Sequence, residues 1–282
     1  ADIAKKFASS LGLNHKEVKI TPEIIVEEWD KANWTIEEPR YNWNLPMYYF
    51  TNKFLNKNNI IVTMSGDIGD EILGGYQQYI NMKKMKNKPK TWRDFLKIWS
   101  KKFFAPIKLN IKFNQNDLVD MLENILPEEI WNPEDIANSA MALDCITTVS
   151  EDFFSRNDRY GMAFSMEGRF PLASKDYMQY CLSINSDYKF GSGDNETKFP
   201  VRTSYQDKIP NYIFDKNKTG WSIPITSWLQ TSNIVQNKYL ETVNTDDGIK
   251  EILHSENYEG NIKRAIIAWM FRSWSQQYNM TL

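Results

Sequence analysis

Apolar positions in the first 64 residues alternate between helical spacing and short continuous runs. Helices are predicted over 1–13, from 22 to about 31 and over 47–55. Short strands are predicted at Glu17–Ile20 and Asn59–Met64, and the second is nearly all apolar, which is typical of a strand buried in a parallel sheet. Helices and strands that alternate in this way predict right-handed crossovers and therefore an α/β fold.

Beyond Tyr76 the strand signals fade and helical spacing dominates. Aromatic residues in 81–116 recur at helical intervals, as Trp92, Phe95 and Trp99 do. Rings at this spacing usually pack into a core rather than stack on a cofactor. We predict a partial α/β nucleotide-binding region over 1–80 and a mostly helical part over 81–282, with further helices at 117–126, 133–156, 174–184 and 262–278.

The strand that ends at Met64 leads directly into a polar segment with three carboxylates in five positions. Residues 65–76 read Ser-Gly-Asp-Ile-Gly-Asp-Glu-Ile-Leu-Gly-Gly-Tyr. Open α/β sheets bind their ligands at the carboxyl ends of the strands. Carboxylates there are poor phosphate ligands but good ligands for the Mg²⁺ that carries phosphates. We therefore predict a nucleotide or pyrophosphate site with Asp70 as the magnesium ligand, although an aspartate here is also suited to capping a helix.

Five segments in register resemble the synthetase domain of the asparagine synthetase family. Besides residues 65–76, they are Glu37–Tyr48, Glu167–Pro171, Lys198–Arg202 and Lys216–Pro224. The resemblance implies an incomplete parallel-sheet ATP-pyrophosphatase domain, of the adenine nucleotide α-hydrolase-like type, followed by a mostly helical lobe. It also implies an enzyme that uses ATP and Mg²⁺ to activate a carboxylate as an acyl-adenylate, releases pyrophosphate and transfers ammonia from glutamine.

The resemblance assigns catalytic or binding roles to three cationic residues. Lys218 matches the family's lysine that stabilises the adenylation transition state. Lys198 and Arg202 suit pyrophosphate if they share a helix face. The ordinary alternative for each of the three is a solvated surface charge.

The acidic segment matches the family in part and departs from it in part. Ser65 and Gly66 match positions whose hydroxyl and backbone amides meet the nucleotide, and Asp67 matches an acidic position suited to accepting a proton from ammonia. In the family this position is an acidic residue, or a tyrosine in ring-closing relatives, and aspartate is one methylene shorter than glutamate. Ile68 replaces a glycine, which affects the backbone of the loop, and Ser174 replaces an acid.

Two elements of the family do not occur in these residues: the Ser-Gly-Gly-x-Asp-Ser pyrophosphate loop and the cysteine nucleophile of the glutaminase domain. We therefore expect a preceding segment of the same protein as a partner, ammonia from a glutaminase domain or chain, and a small carboxylate such as aspartate as substrate. One alternative is a ring-closing or peptide-modifying relative, of the lactam or lasso-peptide cyclase type. Another is a degenerate binding subunit. Ile68, Ser174 and the missing loop favour this alternative, whereas Asp70, Lys198 and Lys218 oppose it.

Composition excludes several other classes of protein. A net charge of −2 and a pI of about 5.9 argue against general nucleic-acid binding, which requires a basic surface. Cys145 and Cys181 are too few for a disulfide framework or a zinc site, so a reduced, cytoplasmic protein is expected. No apolar run approaches the roughly 18 residues that span a bilayer, so no membrane partner is expected.

Overall fold

The computed structural model describes residues 2–40, 42–101, 115–191, 197–214, 222–243, 258–278 and 280. Contacts divide the chain into two compact units built from interleaved segments. The first comprises Ala1–Ile61, Ala163–Ser165 and Arg202–Leu282, and the second comprises Val62–Met162 and Met166–Val201. The predicted division at residue 80 follows composition rather than contacts, and it stays a prediction.

The described residues are mostly helical, with one small parallel sheet of two strands. The described residues also include a π-helix, Cys145–Phe154, and short 3₁₀ helices at Glu128–Ile130, Pro171–Ala173 and Ser186–Tyr188. None of the described helices is long and apolar enough to cross a membrane. In chain order the elements are α1 (Asp2–Ser10), α2 (Pro22–Ile36), α3 (Leu45–Lys57), β1 (Val62–Met64), α4 (Gly69–Leu73), α5 (Gln77–Lys83), α6 (Trp92–Ser100), α7 (Gln115–Ile125), α8 (Ile136–Asp144), the π-helix (Cys145–Phe154), α9 (Ser155–Met162), β2 (Glu167–Arg169), α10 (Lys175–Ser183), α11 (Phe199–Ser204), α12 (Asn211–Phe214), α13 (Ile225–Thr231), α14 (Asn233–Val243) and α15 (Tyr258–Gln277).

Local sequence signals in the first unit lead to the predicted helices. The Thr21 hydroxyl accepts a hydrogen bond from the Ile24 N–H, and Pro22 occupies the first turn of α2. The fully buried rings of Trp29 and Trp269 stack with centroids 3.7 Å apart, so the core joins α2 to α15.

The predicted strand at Glu17–Ile20 is wrong. These residues are irregular, with Glu17 and Lys19 exposed and Val18 and Ile20 half-buried. A strand requires a neighbour to satisfy its backbone N–H and C=O groups, and within the described residues the only strand pair is β1 with β2.

The predicted strand before the acidic segment is present but is shorter and more exposed than expected. β1 pairs in parallel with β2, and Thr63 lies opposite Gly168. The parallel pairing confirms the predicted sheet type. The expectation of burial is wrong, because Ile61 and Met64 are 69% and 77% exposed. Burial on both faces of a parallel strand requires covering helices, and the described residues leave these side chains uncovered.

The aromatic residues of the second unit form its core, as their spacing predicts. Trp92, Phe95 and Trp99 of α6 are buried with Tyr79 of α5. The buried carboxylate of Asp144 accepts hydrogen bonds from the Tyr79 hydroxyl and the Trp99 indole N–H, both at 2.7 Å, and from the Gln78 amide at 3.1 Å. The Asp144 carboxylate accepts from several donors and thus connects α5 and α6 to the end of α8.

The predicted helix over 133–156 proves to be three successive segments. α8 ends at Asp144, ten residues of π-helix follow, and α9 begins at Ser155. Arg156, only 4% exposed, donates to the Asp152 carboxylate at 2.6 Å across the π-to-α junction. Apolar periodicity predicted the helical character, but it carries no clear signal for the wider π turns.

Candidate functional site

The chain turns sharply in the loop that follows β1. The Ser65 N–H donates to the Arg169 carbonyl at 3.0 Å, which continues the strand pairing by one bond. The Ser65 hydroxyl then accepts from the Asp67 N–H at 3.2 Å, and the Gly69 N–H donates to the Gly66 carbonyl at 3.3 Å. These bonds direct the chain from the strand into α4 within a few residues.

Ile68 adopts the left-handed backbone conformation, with φ of 72°. A β-branched residue is strained there, and such strain costs about 1–3 kcal/mol. The side chain is 1% exposed and packs in a cluster with Ile72 and Leu73. Full burial of an isoleucine side chain is worth about 1.5–3 kcal/mol, so packing offsets the strain. The loop therefore keeps a conformation that glycine adopts readily, although isoleucine occupies the position.

The structure brings the predicted magnesium ligand next to a predicted catalytic cation. Asp70 lies in the first turn of α4, and its Oδ1 is 2.8 Å from Nζ of Lys198. Lys198 immediately precedes α11 and has a positive φ of 54°. Backbone strain of this kind is common at functional sites. The ion pair therefore joins two residues that are distant in sequence and that both belong to the second unit.

Gly75 leaves the space that the Asp70 and Lys198 side chains occupy. A Cβ atom at residue 75 would lie 1.7 Å from Asp70 Oδ1 and 2.6 Å from Lys198 Cε. The Gly75 N–H also donates to the Asp70 carbonyl at 2.7 Å, so the backbone has little room to shift. A glycine is therefore required for the ion pair to keep this geometry.

We expect Gly75→Ala to destabilise the chain by about 1–3 kcal/mol, the usual cost of overpacking a tight site. The cost should fall in an Asp70→Ala background, because the carboxylate that the new methyl group meets is then absent. Urea unfolding of the two single variants and the double variant measures this coupling. Gly168→Ala is the matched control, since its Cβ would find its nearest neighbour at an ordinary 3.7 Å. Equal costs in both backgrounds would contradict the inference that Gly75 leaves space for the Asp70 carboxylate.

Asp67, the predicted proton acceptor, is held by a residue that sequence reasoning did not single out. Its Oδ2 accepts a hydrogen bond from Nδ2 of Asn157, on α9, at 2.7 Å. None of the predicted site residues lies in α9, and no motif spacing connects positions so far apart. Only the packing of α9 against the loop reveals this contact.

Glu71 faces the interior rather than the candidate site. The residue is 2% exposed, and burial raises the pKa of its carboxyl, while a hydrogen bond with the Tyr76 side chain opposes that rise. The pKa of the Tyr76 hydroxyl is raised as well, by burial first and then by Glu71. Glu71 therefore fits a structural role at the start of α4.

The remaining predicted residues are found in separate surroundings. Arg202 belongs to the first unit, where its Nη1 donates to the Phe214 carbonyl at 2.7 Å. Lys218 lies outside the described residues. Glu167 and Arg169 form an exposed, two-bond ion pair of 3.0 and 3.1 Å along β2, since alternate residues of a strand share a face.

The described residues fit a magnesium site only if the substrate completes it. They contain no group of three or more His, Cys, Asp or Glu side chains that is able to hold a metal ion. Mg²⁺ commonly binds through one or two carboxylates together with substrate phosphates and water. Asp70, in the first turn of α4, supplies one such carboxylate. The donor set therefore fits an ion that arrives with a nucleotide.

A parallel strand leads into an acidic turn beside a lysine, within a mostly helical set of described residues. The asparagine synthase family model matches residues 1–281, and the chain belongs to that family. Asparagine synthetase [glutamine-hydrolyzing] 1 of Bacillus subtilis (strain 168) is 23% identical, in an alignment that covers 97% of this chain and 49% of that relative. A putative asparagine synthetase [glutamine-hydrolyzing] of Mycobacterium tuberculosis (strain ATCC 25618 / H37Rv) is 20% identical and covers 84% of this chain. The chain spans about half the length of these curated relatives, or less.

Proposed function

We propose that the chain is the synthetase part of an ATP-dependent, amide-forming ligase. In this reaction a carboxylate attacks the α-phosphate of ATP, pyrophosphate leaves, and ammonia derived from glutamine then displaces AMP from the acyl-adenylate. Family membership and relatives named as glutamine-hydrolysing asparagine synthetases support this class. The single observation that carries the proposal is the pair of Asp70 and Lys198 in the unit that β1 and its acidic turn belong to.

Adenylation places negative charge on the α-phosphate and on the departing pyrophosphate. Asp70 would hold Mg²⁺, which offsets part of this charge when it is bound. Lys198 supplies a fixed ammonium 2.8 Å from Asp70 Oδ1, and preorganised charge of this kind lowers the barrier without reorganisation. By resemblance, Lys218 adds a second ammonium, and Ser65 and Gly66 contact the nucleotide.

Amide formation needs a group that accepts a proton as the nitrogen attacks. Asp67 is a half-buried carboxylate in the loop that leads into α4, three positions before Asp70. The Asn157 amide uses one lone-pair position of this carboxylate and leaves others for the proton that a general base accepts. We assign Asp67 to this second step.

The fold that accompanies this function is the ATP-pyrophosphatase type, with β1 and β2 as two strands of its parallel sheet. The parallel pairing supports this assignment. We further propose a small carboxylate such as aspartate as the substrate. The proposed partners are a glutaminase domain or chain and a preceding segment of the same protein, and the proposed setting is the cytoplasm.

The test is exchange of labelled pyrophosphate into ATP, catalysed by the full-length gene product with a panel of small carboxylates. We expect exchange that requires Mg²⁺ and one carboxylate, and Asp70→Asn should abolish it. Asp120→Asn is the matched control, because Asp120 also pairs with a cation, Arg93, at 2.6 Å. Absence of exchange with every carboxylate would favour a binding subunit. Exchange without amide formation from ammonia, but with an internal amine, would favour a ring-closing enzyme.

A further inference from the structure

Asn157 connects its own helix to the loop after β1. Its Nδ2 lies 2.7 Å from Asp67 Oδ2 and 3.0 Å from the carbonyl oxygen of Phe153. Both neighbours are acceptors, so the side chain must present its NH₂ group, with one hydrogen for each. The bond to Phe153 is the ordinary contact of a polar helix residue with the carbonyl four positions earlier. The bond to Asp67 is tertiary, and helix formation alone does not require it.

The π-helix before α9 sets the face on which Asn157 lies. A π-helix has more residues per turn than an α-helix, so the segment Cys145–Phe154 rotates α9 relative to an uninterrupted α-helix. Asn157 comes three positions after that segment, and it lies on the face of α9 that meets Asp67. π-helical turns are rare and recur at functional sites. An amide anchored by one bond to its own helix has little freedom, and it therefore offers its second hydrogen in a fixed direction.

Asp67 needs such an anchor for the role assigned to it. A general base must lie within hydrogen-bond reach of the proton that it accepts. Without such a contact, an aspartate side chain in a loop populates several rotamers. A neutral amide holds the carboxylate without cancelling its charge, and it uses one of about four lone-pair positions. A lysine or arginine in place of Asn157 would orient the group at the expense of its basicity.

We propose that Asn157 is the positioning residue for the amine-transfer step, acting through the carboxylate of Asp67. This inference rests on the proposed function. In that step the nitrogen forms a bond to the acyl carbon, and the bond between this carbon and the phosphate oxygen breaks. AMP leaves with that electron pair, and the proton released from nitrogen passes to Asp67. Adenylation precedes these events and does not depend on the contact between Asn157 and Asp67.

The experiment compares two steps in the full-length gene product: pyrophosphate exchange and amide formation. Asn157→Leu removes both donors at similar volume, and Asn157→Asp removes them in a side chain of the same shape while placing a second carboxylate against Asp67. We expect both variants to keep exchange within about twofold and to slow amide formation roughly 10- to 100-fold, as for loss of a hydrogen bond to a charged group. Asn157→Gln keeps the donors and should recover part of the rate. Asn52→Leu is the control, because Asn52 makes the same contact with the carbonyl four residues earlier, to Tyr48 at 3.0 Å.

The outcomes separate this inference from the proposed function. A selective loss of amide formation, recovered in part by glutamine, supports the inference. Loss of exchange and amide formation in equal measure, or loss of neither, overturns the inference while the proposed function stands. Absence of exchange in the unsubstituted protein overturns both. Free energies of unfolding for all four variants identify any loss of activity that comes from poor folding. If Asn157→Leu does not fold, the comparison of Asn157→Asp with Asn157→Gln tests the inference.

Discussion

Replacement of Asp144 by alanine is expected to lower the free energy of unfolding by about 3–5 kcal/mol. The carboxylate is buried and accepts hydrogen bonds from Tyr79 and Trp99, both at 2.7 Å. Its removal leaves two buried donors without their acceptor, and each such group costs about 1–3 kcal/mol. The cavity left by the side chain adds to this cost. Chemical denaturation followed by tryptophan fluorescence measures the change.

The effect of a second substitution, Tyr79→Phe, on the free energy of unfolding is expected to depend on whether Asp144 is present. Tyr79→Phe alone should destabilise the chain by about 1 kcal/mol, because it removes one hydrogen bond. In the Asp144→Ala background the same change should be neutral or stabilising, because it then removes an unsatisfied hydroxyl. Tyr188→Phe serves as the control, since Tyr188 is 72% exposed. If Tyr79→Phe costs the same in both backgrounds, Asp144 is not the acceptor on which Tyr79 depends.

Substitutions at Lys218 and Asp67 are expected to separate adenylation from amide transfer. Lys218→Ala should reduce pyrophosphate exchange by roughly 10²–10³, the usual loss on removal of one preorganised donor. Asp67→Asn should leave exchange largely intact and slow amide formation by roughly 10²–10⁴, the range of general base catalysis. An asparagine at residue 67 still offers an oxygen to the Asn157 amide, so this substitution removes the basic group and keeps the hydrogen bond.

The two steps are measured side by side in the full-length gene product, by isotope exchange and by amide product formation. Lys83→Ala is the control for loss of a lysine, because Lys83 forms a surface ion pair with Asp187 at 2.8 Å. Equal loss of both steps in Asp67→Asn would place Asp67 in adenylation. Full activity of both variants would contradict the catalytic roles proposed for these residues.

Helices and the acidic turn were predictable because their signals are local. Thr21 and Pro22 begin α2 through a side-chain cap and a fixed backbone angle, which involve only neighbouring residues. The aromatic residues of α6 recur at helical spacing, which predicts both the helix and its buried face. The apolar run before Ser65 predicted a parallel strand, and β1 is parallel.

The predictions of strand, burial and helix type failed where the property depends on residues distant in sequence. Glu17–Ile20 alternates as a strand does, yet no described strand pairs with it. Ile61 and Met64 are apolar, yet their exposure depends on what covers them rather than on their own character. The π-helix interrupts a segment whose periodicity resembles that of an ordinary helix.

By itself the sequence determined the family, most of the helices and the acidic turn that follows a parallel strand, because motifs, caps and periodicity act over a few residues. Only the tertiary structure decided which side chains meet at that turn. Asp70 pairs with Lys198, Gly75 leaves room for the pair, and Asn157 holds Asp67. These contacts join positions that no local rule relates, and they form only when β1, α4, α9 and the start of α11 pack into one unit.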